Sequence, residues 1–418
     1  MIKQIFSHKA GRTMMGNYTA LLFIQGANFI LPLITLPYLV RTLEAERFGL
    51  VMIAQAMAVF LTIIVDFGFN ISATREVSLV RDDKEALSRL YWNVVFIKLC
   101  LVTITFLLLC MLVFSISRFT VEADVYLLSF GVVVGQALFP TWFFQGIEKM
   151  RVITIVNVLA KLIFTVCIFI FITQPSHYER VPLFNGLGFI IAGILGLFMS
   201  LKYIRFHRPI WAEMKVLLVE TFPLFISNFA SSLYYSSNTF ILGMVGGDAI
   251  AGIYSSMEKL VLAVKNIYVP LYQAIFPWLA TKPIQKVRSI IKKMMLPMAI
   301  LGTLIALVIL LFAQPALHFI YDDNTIENYH TVFKILGAIA IFSALNMLLL
   351  MLYFPAVKAY NFRMKTMIVG GLFNVIVAFI AATYYGIYGV AVTASVTELV
   401  ILLVAAYFYI KHKKTIIA

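Results

Sequence analysis

The 418-residue sequence predicts an all-α polytopic membrane protein of about 12 transmembrane helices, arranged as two six-helix lobes related by a parallel pseudo-twofold repeat. Three observations carry that expectation. Hydrophobic residues make up 62% of the chain and charged residues only 12%, with a mean hydropathy of +0.96. Soluble chains run at about 45–50% apolar and a quarter charged, and could not hide this much apolar surface. Apolar runs of the roughly 20 residues needed to cross a bilayer recur from one end of the chain to the other. Finally, the opening stretch has a counterpart near the middle of the chain.

In order, the runs place spans at 17–42, 48–70, 91–115, 126–146, 152–173, 183–204, 218–242, 252–279, 294–314, 331–354, 366–384 and 387–410. The first is not a plain anchor. Gln25, Asn28, Pro32 and Thr35 recur at helical spacing and share one face, which should look toward protein or water rather than lipid. Lys3, Lys9 and Arg12 precede an apolar run too long for a signal-peptide core, so it reads as an uncleaved first span.

An even number of spans puts both termini on one side. Of the 33 lysines and arginines, 24 fall in loops on the terminus side and 4 on the other, which makes both termini cytoplasmic. The net charge of +14 is thereby accounted for by loops facing anionic lipid, with no nucleic-acid partner.

The longest cytoplasmic link divides the chain into an N-terminal lobe (1–204), an interfacial linker (205–217) and a C-terminal lobe (218–418). After Pro209 the linker shows an amphipathic pattern suited to a helix lying in the interface. Adding 203 to positions in the opening stretch takes Gln25 to Asn228, Asn28 to Ser231, Thr35 to Asn238, Gly49 to Gly252, Gln55 to Glu258 and Thr62 to Lys265. Polar falls on polar and glycine on glycine. Six spans per repeat imply parallel repeats enclosing a cavity.

Charges inside spans are costly, at least roughly 2.5–3.5 kcal/mol each near the centre, so each asks for a role. Lys161 and Lys265 lie deepest; Lys98 and Lys259 also fall within spans, and Lys334 sits close enough to a span end to reach the headgroups. An ammonium in low dielectric can neutralise a phosphate oxygen, so Lys98, Lys161, Lys259 and Lys265 are candidates for a cationic cavity that binds a phosphate-bearing substrate. The alternative use of such groups is pairing with acids to hold helices together. Glu398, then Asp66, and Glu258 are candidate sites for a coupling proton or sodium ion. Gln25, Asn28, Thr35, Asn228, Ser231, Tyr235 and Asn238 are candidates for a polar face toward sugar hydroxyls, although small polar residues also serve helix packing.

Catalytic chemistry has no footing in the sequence. The six histidines lie outside spans or at their ends, without HxxxH or HExxH spacing, and there is no GxxxxGK[ST] loop. Cys100, Cys110 and Cys167 sit in apolar runs and point to neither disulfide nor metal. No catalytic residue, metal or organic cofactor is expected.

The segments LPLITLPYLVRTLEAERFGL, DFGFNISATREVS and PTWFFQGIEKMR, with SLYYSSNTFILGMVGGDAIAGIYSSMEKL and PLYQAIFPWLA in the second half, resemble the Wzx-type O-antigen flippases. These belong to the polysaccharide transporter family of the multidrug/oligosaccharidyl-lipid/polysaccharide exporter superfamily. The resemblance covers the whole chain. It implies a twelve-helix fold in the bacterial inner membrane and translocation of undecaprenyl-diphosphate-linked O-antigen units to the periplasmic face by alternating access. It also implies ion coupling, a lipid-linked oligosaccharide as cargo, and an O-antigen polymerase and chain-length regulator as candidate partners. Arg41 falls within the first motif, at the outer end of its span, as a candidate outer gate or helix anchor.

Two other readings compete. A drug or cation antiporter of the same superfamily should prefer an acidic cavity, whereas the lysines bias this one positive. A membrane polymerase or glycosyltransferase should carry a large periplasmic loop, and the largest outer loops here are only about a dozen residues.

Overall fold

The computed structural model describes residues 9–417 apart from 267, 269–271, 273–274, 276–278 and 280–281; side chains are described from residue 31 onward, except those positions and 32, 33, 150, 234, 235, 266 and 413–417. The described residues hold no strand. Nine helical stretches among them are long and apolar enough to cross a membrane.

Helix α1 (Lys9–Asp66) is one long rod broken at Glu44, whose φ of 64° interrupts it inside the TLEAER turn. At its end Phe67 and Gly68 both take positive φ, and the chain reverses into α2 (Phe69–Val80). The reversal is tight: a Cβ on Gly68 would sit 3.0 Å from the Leu224 side chain, in a backbone conformation that favours glycine. Helix α2 replaces part of the cytoplasmic loop expected between the second and third spans. It is too short to cross, and buries Phe69, Ala73 and Val77, spaced four apart along one face.

Helix α3 (Lys84–Ser115) starts at an Asp83 cap whose carboxylate accepts from the Glu85 and Ala86 amides. The expected span at 126–146 divides at Pro140 into α4 (Ala123–Leu138) and a short α5 (Thr141–Gly146). Helices α6 (Met150–Phe171) and α7 (Arg180–Ser200) follow. Glycines let α4 and α7 touch backbone to backbone, since a Cβ on Gly135 would lie 2.3 Å from the Phe189 carbonyl carbon.

Residues 204–210 form no regular element, and helix begins at Trp211 as the start of α8 (Trp211–Gly246). The expected interfacial helix is therefore the first turns of a long spanning helix. Its approach is fastened to α3: Ser88 Oγ accepts from the Arg205 amide at 2.9 Å, and Asn93 accepts from the Ile210 amide at 2.8 Å while donating to Glu213 at 2.7 Å. Gly247, with φ 89°, joins α8 to α9 (Asp248–Asn266).

Helix α10 (Ile284–Tyr321) leads through an Asp323-capped turn to α11 (His330–Gly337) and α12 (Ile339–Met347), which widens into a π turn at Leu348–Tyr353. In the Asp323-capped turn, Glu327 accepts hydrogen bonds from Gln314 and His318. The last element, α13 (Tyr360–Ile417), is broken at Gly386, between the two spans expected there.

The chain divides into two compact units, one of residues 1–42 and 57–228 and one of 43–56 and 229–418. The divisions fall inside α1 and α8 rather than in the 205–217 link, and a short piece of α1 packs with the second unit. The first unit's core gathers Phe69, Val77, Tyr91, Trp142, Phe143 and Phe144 from α2, α3 and α5. That of the second includes Tyr272, Ile291, Leu348, Tyr353 and Ile401.

Candidate functional site

In the first unit, Lys98 is buried on α3 and its Nζ lies 3.5 Å from Asp66 Oδ1 at the end of α1. The two were expected in separate roles, one binding substrate and one an ion. The structure brings them together. Lys161 is half-buried on α6. Thr35 is buried and donates its hydroxyl to the Leu31 carbonyl at 3.0 Å. Arg41 is exposed three residues before the break in α1. The side chains of Gln25 and Asn28 lie outside the described residues.

In the second unit the charges and amides form three groups. Lys265 on α9 makes an ion pair with Glu398 on α13, and both side chains are withdrawn from the surface. Asn346 on α12 joins the group, donating to the Glu398 carboxylate and, at 2.8 Å, to its backbone carbonyl. Again a candidate substrate residue and a candidate ion residue are each other's partners. The Asn346 Oδ1 atom is buried without a hydrogen bond among the described residues.

A second group is an amide network. Asn374 on α13 donates to Ser237 and Asn238 at 3.0 Å each and accepts from Thr397 at 3.0 Å. Asn238 donates in turn to Tyr254. Beside it the Thr239 hydroxyl donates to Glu258 at 3.0 Å. Asn228 and Ser231 are half-buried on α8, and the side chain of Tyr235 lies outside the described residues.

The third group is built on the repeat. Gly49 and Gly252, which are 203 positions apart, meet: a Cβ on Gly49 would lie 1.7 Å from the Asp248 carbonyl oxygen, and one on Gly252 would lie 2.3 Å from that of Ala45. Asp248 and Ala45 are also 203 apart, so the contact is reciprocal. From this crossing Lys259 reaches Gln55 Oε1 at 3.0 Å and Met52 Sδ at 2.7 Å.

Asn346, Asn374, Thr397 and Tyr254 were not anticipated. The two asparagines did carry a cue: each is a lone amide in an apolar run, and burying an unpaired amide costs energy for the same reason as burying a charge.

Comparison with known proteins agrees with this architecture. A Shigella dysenteriae protein whose name assigns it to O-antigen transport is 29% identical over 397 residues, spanning 93% of this chain and 98% of its own length. An Escherichia coli protein of the same name is 27% identical over 390 residues, spanning 91% and 93%. Among solved structures, an inward-facing multidrug resistance MATE family transporter of the MOP superfamily superposes with a TM-score of 0.70 at 14% identity, covering 92% of this chain and 96% of its own. The lipid II flippase MurJ, in an inward closed conformation, gives 0.65 at 14% identity, with 94% and 87% covered. The two likenesses show a shared transporter fold. The model of the polysaccharide biosynthesis protein family matches residues 14–282, well over half of the chain, and the protein belongs to that family.

Proposed function

We propose that this protein is a flippase that carries undecaprenyl-diphosphate-linked O-antigen repeat units from the cytoplasmic to the periplasmic leaflet of the bacterial inner membrane, by alternating access. The observation that carries this reading is the end-to-end similarity to two relatives named for O-antigen transport. The fold shared with a lipid II flippase supports it, because that cargo is also lipid-linked. The membrane-embedded lysines favour an anionic head group over the cationic drugs of an antiporter. With no expected catalytic constellation, the chain acts as a transporter rather than an enzyme. An O-antigen polymerase and a chain-length regulator, which would use the delivered units, are its proposed partners, and both termini are placed in the cytoplasm.

A proton or sodium ion supplies the proposed driving force. Glu398 is bonded to Lys265 and Asp66 faces Lys98 at 3.5 Å, whereas Glu258 is held by the uncharged hydroxyl of Thr239, so Glu258 becomes the favoured coupling carboxylate.

Deletion of the gene tests the function. Surface O-antigen should disappear while single lipid-linked repeat units accumulate. Unaltered polysaccharide with heightened drug sensitivity would replace the flippase by an antiporter.

A further inference from the structure

We infer that Lys259, set between Met52 and Gln55, is the ammonium that receives the phosphate of the transported lipid, and that Lys265 is not. The inference rests on the flippase reading and assigns the substrate's anionic group to one residue. Four lysines were candidates for this role, and the structure separates three of them by partner. Lys98 faces the Asp66 carboxylate and Lys265 the Glu398 carboxylate. Each of those carboxylates is tethered beside its ammonium, so an incoming phosphate would have to displace an anion present at very high effective concentration. It would also leave the buried Glu398 carboxylate without its cation.

Lys259 differs. Its nitrogen is held by a carbonyl oxygen and a thioether, both uncharged, and among the described residues it makes no ion pair. Neutral acceptors solvate an ammonium and fix its direction without cancelling its charge. The neighbouring acid, Glu258, accepts from Thr239 on α8 and acts on Lys259 only through space, with no hydrogen bond or ion pair between them among the described residues. Lys259 is also half-buried, whereas Lys265 is 7% exposed. In low dielectric such an ammonium retains its attraction for a phosphate oxygen, and the bond it makes is charge-assisted.

The repeat explains why Gln55 is neutral. Its counterpart 203 positions on is the acid Glu258, and the counterpart of Lys259 is Ala56. Glycines identical in both copies make the helix crossing, while the two copies differ in charge beside it. A glutamate at 55, matching its counterpart, would place a carboxylate on Lys259 and neutralise it.

That isosteric change is the decisive test. Purified full-length protein in phosphatidylcholine nanodiscs is titrated with farnesyl diphosphate, with farnesol as the uncharged control. Wild type should bind the diphosphate and not the alcohol. Lys259→Gln and Gln55→Glu should each weaken binding about tenfold or more, Gln55→Glu without loss of melting temperature. The paired change Lys265→Gln with Glu398→Gln should stay within about threefold of wild type. Gln55→Glu binding at wild-type strength overturns the inference, as does loss of binding confined to the Lys265/Glu398 pair. Loss of the diphosphate response in discs containing phosphatidylglycerol would assign the ammonium to bilayer phosphates and also overturn it. Wild type that restores O-antigen to a deletion strain yet ignores the diphosphate overturns this assignment alone. Wild type that fails to restore O-antigen overturns the flippase reading itself.

Discussion

Lys265 and Glu398, 133 positions apart in sequence, form an ion pair within the second unit, with side-chain exposures of 8% and 1%. Helices α9 and α13 are thereby joined through two buried charges.

The pair should behave as a unit. Lys265→Met alone or Glu398→Leu alone leaves an uncompensated buried charge and should cost about 3–5 kcal/mol, whereas the double change should be close to neutral. Unfolding midpoints of the four proteins in a double-mutant cycle check this. Additive losses would contradict it.

Asn374 serves three partners with one amide. Asn374→Leu removes both donated bonds and one of the two acceptors of the Thr397 hydroxyl, which keeps the Thr393 carbonyl, with an expected loss of about 1–3 kcal/mol. Thermal unfolding in detergent should show the drop. Asn228→Leu, on a half-buried position of α8, should show a smaller one.

The crossing at Gly49 has no room for a methyl group. Gly49→Ala and Gly252→Ala should each force the two helix backbones apart, at a cost of about 1–3 kcal/mol or more. Reduced melting temperature and faster proteolysis report it; unchanged values for both would mean that the helices separate freely.

Glu327 supplies a pH-dependent prediction. Its carboxyl is held below the usual carboxylate range, first by the hydrogen bond from Gln314 and then by His318. A lowered folded-state value means that its contribution is fully present above the ordinary carboxylate value and is lost as pH falls through the lowered one. Gln314→Leu should therefore shift the Glu327 titration upward, read by carbon-13 NMR of labelled glutamate carboxyls.

Much of the fold was legible because hydropathy and helix length are local properties. The breaks at Glu44 and Gly386 fall within a few residues of the expected loops, and the repeat picked out Gly49 and Gly252 before their contact was known. Helices α2 and α5 escaped because a bilayer-length window averages over elements of 12 and 6 residues. For the site, the depth of each charge could be read from the sequence, but its partner could not. Asp66–Lys98 and Lys265–Glu398 are contacts between distant helices, and nothing in either local stretch specifies which face meets which. Only packing reveals that a residue assigned to the substrate is already held by one assigned to the ion.

Residues 43–56 belong to the second unit, although most of that unit begins at residue 229. During synthesis they emerge long before the rest of that unit. Gly49 must therefore wait in the bilayer, its backbone contact unmade, while about 200 further residues are threaded and inserted. Completion of the second unit is in this sense a closing step of biogenesis. A fragment starting at residue 229 would lack a piece of its own interior, including the groups that hold Lys259.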